Sequence, residues 1–284
     1  MTQPSAIVDS HVHLWNPASL RYPWLDGLPA LNRAFGPSEF AAASAQANVS
    51  KLVFVECGCE SAQSLTETDW IIGQAQSEPR LQGIVAHASL ENGAAARSEV
   101  STLATRPLVK GVRRLLQGES DPEFCLRPEF IEGLKLLVAF DFTFDLCIRH
   151  EQLRAVTELV RRAPEVQFVL DHLGKPPVRE RKHDPWATEL HALATLPNVC
   201  CKISGLTTEA DWKNWRPADL RPYVEIALEA FGFDRVLFGG DWPVMTLATD
   251  YQRWVETVRE LIPFASEQET SQLFRTNAER IYRV

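Results

Sequence analysis

The sequence predicts a (β/α)8 barrel, the TIM-barrel fold of the α/β class, as a single domain over residues 1–284. Short runs rich in β-branched residues alternate eight times with stretches of helical period, as expected for parallel strands joined by right-handed crossovers. A length of 284 residues suits one such barrel. A doubly wound open sheet is the main alternative, but no Gly-x-Gly-x-x-Gly follows the first strand, and no linker or low-complexity tract divides the chain.

The eight predicted strands are short apolar runs bounded by polar or turn residues. The first contains Ala6-Ile7-Val8, and the later ones combine Val, Ile, Leu or Phe with few charges. The predicted strands cover residues 6–11, 51–57, 82–87, 109–115, 142–148, 166–171, 199–204 and 235–239.

The helices are predicted from apolar residues at helical spacing and from start and stop signals. Pro37 and Pro128 stand in a first turn, and Ser266 and Glu269 have the spacing of a capping box. The predicted helices cover residues 37–48, 66–77, 94–104, 128–139, 151–163, 186–196, 217–231, 250–261 and 266–282. Three irregular stretches rich in Pro, Trp and charge, at 16–36, 174–184 and 207–216, are predicted active-site loops.

Composition limits the class of partner. The net charge of -8 disfavours nucleic acid and anionic membranes, which select basic surfaces, so we expect a small-molecule partner. The segment Met1-Thr2-Gln3-Pro4 has no signal-peptide character, and no run of about 18 apolar residues occurs. We therefore expect a soluble, cytoplasmic protein that is a monomer or a homodimer.

The six cysteines mostly lie inside apolar, strand-like segments, and none forms a Cys-x-x-Cys pair. We therefore interpret them as reduced core residues.

The most specific motif is the pair His11 and His13 at the end of the first strand. Alternate residues of a strand point to the same side, so both imidazoles are expected to converge on one metal ion or one substrate oxygen. The alternative is that His-x-His occurs here by chance, and the residues after the later strands are needed to distinguish the two.

Polar residues follow every predicted strand, and in a barrel of this kind the carboxyl ends of the strands form the active face. Glu56 and Arg113 could instead form a buried ion pair, and His87 could be a core histidine. In strand order these residues are His11 and His13, Glu56, His87, Arg113 and Arg114, Arg149 and His150, Asp171 and His172, Lys202 and Ser204, and Asp241.

A nitrogen-rich site with one carboxylate suits zinc or another borderline divalent ion. Such a site would combine His11, His13 and Asp241 with either His150 or His172. The same groups could also polarise a carbonyl and move protons without a metal, and the spacing does not choose between the two.

Several motifs together resemble the amidohydrolase superfamily (amidohydrolase-related family 2). The closest resemblance is to its lactonase branch, which includes L-fuconolactonase, L-rhamnonolactonase and 2-pyrone-4,6-dicarboxylate lactonase. The resemblance covers essentially the whole chain. It rests on Asp-Ser-His-Val-His-Leu-Trp at 9–15, Tyr-Pro-Trp-Leu at 22–25, Cys-Ile-Arg-His-Glu-Gln-Leu at 147–153, Leu-Asp-His-Leu-Gly-Lys-Pro at 170–176 and Phe-Gly-Gly-Asp-Trp-Pro at 238–243.

The resemblance implies a distorted (β/α)8 barrel whose chemical core is His11, His13, a histidine after strand six and Asp241. Binuclear members of the superfamily bridge two metals through a residue late on strand four. Arg113 and Arg114 hold that place here, which implies at most one ion. Zinc is the first candidate, with His11, His13, His172 and Asp241 as ligands. Some members of the branch work without a divalent ion, so a metal-independent site stays open.

The implied activity is hydrolysis of a small sugar-acid lactone, such as L-fuconolactone or L-rhamnonolactone, to the open-chain acid in carbohydrate catabolism. Asp241 would activate water, the histidine cluster would polarise the carbonyl, and Asp241 or His172 would return a proton to the departing ring oxygen. His150 is the third predicted catalytic residue. The predicted substrate-binding residues are Arg113, Arg114, Lys202, Trp24, Glu56 and Trp242.

Two alternatives come from other functional classes. Related barrels are metal-dependent decarboxylases of aromatic or muconate-type acids, although the 22-residue gap between His150 and His172 favours the lactonase branch. The second alternative is a non-catalytic barrel that binds sugar acids, but such a binder has no need of a general base such as Asp241.

Overall fold

A computed structural model describes residues 6–284 as one parallel sheet in which all eight strands follow chain order. Residues 1–5, on which the expectation about a signal peptide rests, lie outside the described residues. The strands are β1 (Ile7–Val12), β2 (Val49–Val55), β3 (Leu81–His87), β4 (Val109–Arg113), β5 (Thr143–Leu146), β6 (Phe168–Leu170), β7 (Val199–Ile203) and β8 (Val236–Phe238).

The sheet curls until its last strand approaches its first. The Ser10 hydroxyl donates to the Phe238 carbonyl at 2.6 Å, and the Asp241 amide donates to the His11 carbonyl at 2.8 Å. Val12 and Trp242 form a parallel bridge. The predicted (β/α)8 barrel is therefore confirmed, and these closing contacts bring the residues that follow β1 and β8 together.

Helices occupy the connections between strands, as the right-handed crossover rule requires. The α-helices are α1 (Pro37–Ala43), α2 (Ser64–Gln74), α3 (Arg97–Ala104), α4 (Pro128–Lys135), α5 (Leu153–Arg162), α6 (Trp186–Ala194), α7 (Leu206–Glu209), α8 (Pro217–Phe231), α9 (Tyr251–Leu261), α10 (Glu267–Ser271) and α11 (Asn277–Tyr282).

The prediction of one continuous helix over 266–282 is wrong, because a π-helical turn interrupts it. Its capping box is present, because the Ser266 hydroxyl accepts from the Glu269 amide at 3.2 Å and the Glu269 carboxylate accepts from the Ser266 amide at 2.8 Å. A π-helical turn at Gln272–Thr276 then separates α10 from α11. Insertion of such a turn offsets the two helical faces, and α11 thereby turns toward the barrel.

Apolar side chains fill the interior of the barrel at the end opposite the carboxyl ends of the strands. Val8, Val53 and Leu237 pack there against Ile281 and Tyr282 of α11. At the same end the Lys51 ammonium donates to the Val284 carbonyl at 2.9 Å, near the start of β2. A larger apolar layer lies between the strands and the surrounding helices. The open end of the barrel is therefore the one where the strands finish.

Within residues 6–284, none of the helices combines the length and the apolar character needed to cross a membrane.

Candidate active site

Three imidazoles and one carboxylate meet at the open end of the barrel. The Asp241 Oδ1 atom lies 3.7 Å from His11 Nε2, 3.5 Å from His13 Nε2 and 3.9 Å from His172 Nε2. The Nε2 atoms of His11 and His13 are 3.1 Å apart. All four residues are buried, with 5% exposure or less. The structure thus brings together the four residues that the sequence predicts as metal ligands, and it selects His172 rather than His150 as their partner.

The other nitrogen of each imidazole has its own polar neighbour. His13 Nδ1 donates to the Val55 carbonyl at 2.7 Å, and His172 Nδ1 lies 2.8 Å from the Ser204 hydroxyl. His11 Nδ1 lies 3.2 Å from both the Asp171 carboxylate and the Lys202 ammonium. These contacts fix the ring planes and leave every Nε2 directed at the centre of the site, which is how histidine ligands of metals are usually held.

The donor set fits a divalent cation. In a neutral His13 whose Nδ1 donates to a carbonyl, Nε2 carries a lone pair, and this atom faces the Asp241 carboxylate at 3.5 Å. Two acceptors that face each other repel, whereas a cation between them is attracted by both. Nitrogen donors with one carboxylate match the preference of zinc.

Buried charge favours the same cation. Burial alone raises the pKa of a carboxyl, yet the pKa values of Glu56, Asp171 and Asp241 are all lowered by neighbouring groups. Among the described residues, only two buried side chains of the same network, Arg113 and Lys202, carry a permanent positive charge to balance these three carboxylates. The site therefore carries excess negative charge that a divalent ion would offset.

Asp241 is held in a strained backbone conformation. Its φ of 56° is in the left-handed region, which residues with a side chain seldom adopt. Burial would raise the pKa of its carboxyl, but the imidazoles of His172, His13 and His11 outweigh burial and lower it. Asp241 is therefore ionised at neutral pH. Backbone strain is concentrated at functional sites, where the surrounding structure holds it in place.

His172 begins a left-handed turn directly after β6. The φ values of His172, Leu173 and Lys175 are 54°, 54° and 53°. The Leu173 carbonyl accepts from the Trp186 indole at 2.7 Å, and the Lys175 amide donates to the His172 carbonyl at 2.8 Å. The turn directs both His172 and Lys175 toward the barrel axis. Burial lowers the pKa of His172 to about 4, so this imidazole is neutral at pH 7.

A buried charge network lies beneath the imidazoles. The Lys202 ammonium contacts Asp145 at 2.6 Å and Asp171 at 2.9 Å. The Arg113 guanidinium contacts Asp171 at 3.0 Å and Glu56 at 2.8 Å. Such a network costs desolvation, but its many contacts hold each charge in one position. Asp171 connects both cations to His11.

A cavity of about 690 Å³ opens above the four central residues. His13, His172 and Asp241 line its floor, and Arg113 lines one side. The indole of Trp24 also lines the cavity and donates to the Cys57 carbonyl at 2.8 Å. A cavity of this volume can hold a small-molecule ligand.

Five residues predicted to be catalytic or substrate-binding lie away from this cavity. Glu56 is bound to Arg113, and Lys202 lies below His11. Arg114 pairs with Glu91 at 3.0 Å and Glu119 at 2.7 Å. Trp242 packs edge-on against Phe35 and Phe40 with ring centroids 5.5 and 5.3 Å away. His150 faces a neighbouring cavity, where its Nδ1 donates to the Lys175 carbonyl at 3.1 Å.

Other polar residues of the cavity received no role from the sequence. Gln117, Lys175, Thr208 and Glu209 line it together with Ser61. Lys175 belongs to the predicted loop 174–184, and Thr208 and Glu209 belong to 207–216, so the loops were found but not these side chains. Nothing in the local pattern distinguishes an inward loop side chain from an outward one.

The cysteines divide between core and cavity. Five are buried and Cys59 is partly exposed. Cys57, Cys59 and Cys147 line the cavity wall, and burial raises the pKa of all three thiols. These cysteines are therefore protonated and contribute an apolar wall rather than nucleophiles.

Several known proteins resemble this chain in sequence and in fold. Residues 8–284 match the amidohydrolase family. The L-fucono-1,5-lactonase of Burkholderia ambifaria is 30% identical over 284 residues, covering 98% of this chain and 95% of the relative. The L-rhamnono-gamma-lactonase of Scheffersomyces stipitis is 23% identical, covering 98% of each chain. A crystal structure of an amidohydrolase from Burkholderia multivorans with bound zinc superimposes with a TM-score of 0.88 at 32% identity, covering 99% of this chain and 100% of that one. As its motifs predict, the chain belongs to the amidohydrolase family.

Proposed function

We propose that the chain hydrolyses a small sugar-acid lactone to the open-chain acid. The observation that carries the proposal is the convergence of His11, His13, His172 and Asp241, the last three of which line a cavity of about 690 Å³. The site offers a base, an electrophilic centre and room for one sugar-sized ring, which are the requirements for ester hydrolysis.

The predicted enzyme class is a hydrolase of lactone ester bonds, and it is confirmed by family membership and by relatives with lactonase names. Those relatives are named for L-fucono-1,5-lactone and L-rhamnono-γ-lactone. They support a six-carbon sugar lactone as substrate, in the five- or six-membered ring form.

In the proposed reaction Asp241 is the general base. Its lowered pKa keeps it ionised at neutral pH, so it accepts a proton from the water that attacks the lactone carbonyl. The oxyanion that results collapses with cleavage of the bond between the carbonyl carbon and the ring oxygen. Asp241 then returns its proton to that oxygen, which becomes the hydroxyl of the product acid.

The oxyanion needs positive charge at the cavity floor. His11, His13, His172 and Asp241 are the residues that would hold a divalent ion, for which we propose zinc, and a bound ion polarises a carbonyl as a Lewis acid. Arg113 also lines the cavity, with one guanidinium nitrogen 3.5 Å from His11 Nε2. Its guanidinium pairs with Glu56 and Asp171, and it remains a permanently charged group beside the cavity whether or not a metal is bound.

Trp24 is the proposed platform for the apolar face of the sugar ring. Its indole lines the cavity, and its orientation is set by the hydrogen bond to the Cys57 carbonyl. Ser204 and Asp171 are proposed as positioning residues, since they contact the imidazoles rather than the cavity.

A panel of aldono-1,4- and aldono-1,5-lactones, followed with a pH indicator, tests the proposal. We expect proton release as the carboxylic acid forms and ionises, and loss of activity after chelation with recovery on added zinc. Activity that survives complete metal removal would assign the electrophile to Arg113. Carbon dioxide release from an aromatic acid, without lactone opening, would contradict the proposal in favour of a decarboxylase.

A further inference from the structure

Glu209 is a cavity residue without a partner in the described part of the chain. It ends α7, directly after β7, and lines the active-site cavity beside Thr208 and Lys175. Across residues 6–284, no donor lies within hydrogen-bonding or ion-pairing distance of its side chain. Its carboxyl is half-buried, and burial raises its pKa. The charges of Lys175, Arg149 and His150 offset the effect of burial only in part, and a half-buried carboxylate without a direct partner destabilises the fold.

The Lys175 ammonium, which lies beside Glu209 in the cavity lining, has hydrogen-bonding capacity that the described part of the chain does not use. The Lys175 ammonium donates to the amide oxygen of Gln117, a neutral partner, and forms no ion pair among residues 6–284. Lys175 and Glu209 both line the cavity, and the charge of Lys175 lowers the pKa of the Glu209 carboxyl. Arg113, by contrast, is occupied by Glu56 and Asp171. One wall of the cavity therefore presents an acceptor and a donor that the protein leaves available.

We infer that Glu209 and Lys175 determine substrate class by recognising the hydroxyl groups of a neutral lactone. A carboxylate has two oxygens, so Glu209 can accept hydrogen bonds from two adjacent hydroxyls, while the Lys175 ammonium donates to a hydroxyl oxygen. This inference rests on the proposed lactonase function and adds to it a preference for neutral lactones over charged ones. A lactone that carries its own free carboxylate is disfavoured, because that charge would meet Glu209.

The test compares two lactones with the same ring, a neutral hexono-1,4-lactone and a hexaro-1,4-lactone with a free carboxylate. We expect the wild type to prefer the neutral lactone. Glu209→Gln should lower kcat/KM for the neutral lactone about 10- to 100-fold, mainly through KM, which is the range for hydrogen bonds to a charged group. The same variant should shift the preference toward the hexarolactone. Lys175→Gln should shift the preference in the opposite direction.

Two controls separate recognition from structure. Glu229→Gln makes the same change on the exposed face of α8 and should alter neither kinetics nor stability. Because burial of the Glu209 carboxyl outweighs the charges around it, Glu209→Gln should keep or raise the thermal unfolding midpoint. A lower midpoint in Glu209→Gln would assign a structural role and overturn the inference.

The two hypotheses fail in different ways. If the wild type opens these lactones and Glu209→Gln keeps the same preference within about twofold, the recognition role is wrong and the lactonase function stands. If the wild type opens no lactone of the panel, the proposed function and this inference are both wrong.

Discussion

The three central imidazoles are held by three chemically different partners, a backbone carbonyl, a hydroxyl and a buried ion pair. Each partner contacts the Nδ1 atom of its imidazole, so the three Nε2 atoms face the Asp241 carboxylate at the centre of the site. The pKa of His172 is lowered by burial to about 4, and that of His11 is also lowered by burial. Neutral rings of this kind are competent metal ligands over the whole physiological pH range.

Lys202 should prove a structural residue. Its ammonium is fully buried and contacts Asp145 at 2.6 Å and Asp171 at 2.9 Å. Lys202→Met leaves both carboxylates without that cation and should lower the free energy of unfolding by about 3–5 kcal/mol, as measured by urea denaturation. Lys213→Met, at an exposed lysine, is the matched control. A loss below about 1 kcal/mol for Lys202→Met would show that the network does not depend on this charge.

The arginine pair illustrates what the sequence could and could not predict at the scale of residues. Both Arg113 and Arg114 follow the same apolar run, and both were predicted to bind substrate. Neighbouring residues of an extended chain point to opposite sides, so only one can face the barrel axis. Arg113 does, whereas Arg114 pairs with Glu91 and Glu119. Choosing between them requires knowing which side of the strand faces inward, and a short apolar run does not reveal that.

Two short segments set the orientation of the His172 imidazole in the site. The left-handed turn after β6 sets its backbone, and Gly205, between β7 and α7, lies against its ring. Gly205 has a φ of 66°, and a Cβ placed on it would lie 2.6 Å from His172 Nδ1. Only glycine satisfies both the conformation and the close approach.

Gly205→Ala should therefore impair activity more than stability. The added methyl group displaces the His172 imidazole, and a shift of about 1 Å in a catalytic group costs on the order of 100-fold in rate. Gly232→Ala is the control, because Gly232 also has a φ of 66° but lies before β8, far from the cavity. Lactonase kcat/KM and urea unfolding are measured for both variants. Equal kcat/KM in the two variants would contradict the positioning role of Gly205.

At the scale of elements, strand positions were predictable but their ends were not. All eight predicted strands occur, yet β6 covers Phe168–Leu170 rather than 166–171. Asp171 and His172 were thus expected at a strand end and instead begin a turn stabilised by Trp186, a residue distant in sequence. The π-helical turn between α10 and α11 likewise depends on packing against the barrel. Local propensity contains no information about such contacts.

Across the whole molecule, the polar residues of the barrel form one column along its axis. The Tyr282 hydroxyl donates to Asp145 at 2.7 Å, and Asp145 contacts Lys202. Lys202 in turn contacts Asp171, which contacts His11. The C-terminal helix α11 and the imidazole of His11 are therefore linked through hydrogen-bonded charges.

Glu67 on α2 should make the stability of the whole molecule depend on pH. Burial first, and then the charge of Glu56, raise the pKa of Glu67 from 4.5 to about 8. The folded state therefore holds a proton that the unfolded state loses between these values, so stability falls as pH rises through this window, by up to about 1.4 kcal/mol per pH unit. Glu67→Gln cannot titrate and should show a flatter profile of urea midpoints between pH 5 and pH 8.

The amide oxygen of this variant can still accept from the Cys57 amide, which lies 3.3 Å from the Glu67 carboxylate. Glu225→Gln, at an exposed glutamate on α8, should retain the slope of the wild type. Parallel profiles for the wild type and Glu67→Gln would show that Glu67 is not the group responsible.

The fold class and the family followed from the sequence, as did the proximity of the four central side chains, because each depends on a motif at a strand end. The cavity wall did not, since Lys175 and Glu209 come from loops whose side-chain directions depend on tertiary packing. The roles of Lys202 and Trp242 were missed for a related reason. Charged and aromatic residues near strand ends can serve the interior as well as a ligand, and only the structure shows which they do.

The most direct test of the central claim is lactone hydrolysis by Asp241→Asn. Asparagine nearly preserves the shape of the side chain but cannot accept the proton of the attacking water. We predict a loss of about 10³-fold or more in kcat on the best aldonolactone, with an unchanged urea midpoint and far-UV spectrum. A variant that is folded and retains kcat within about tenfold of the wild type would contradict the assignment of Asp241 as the general base and, with it, the proposed mechanism.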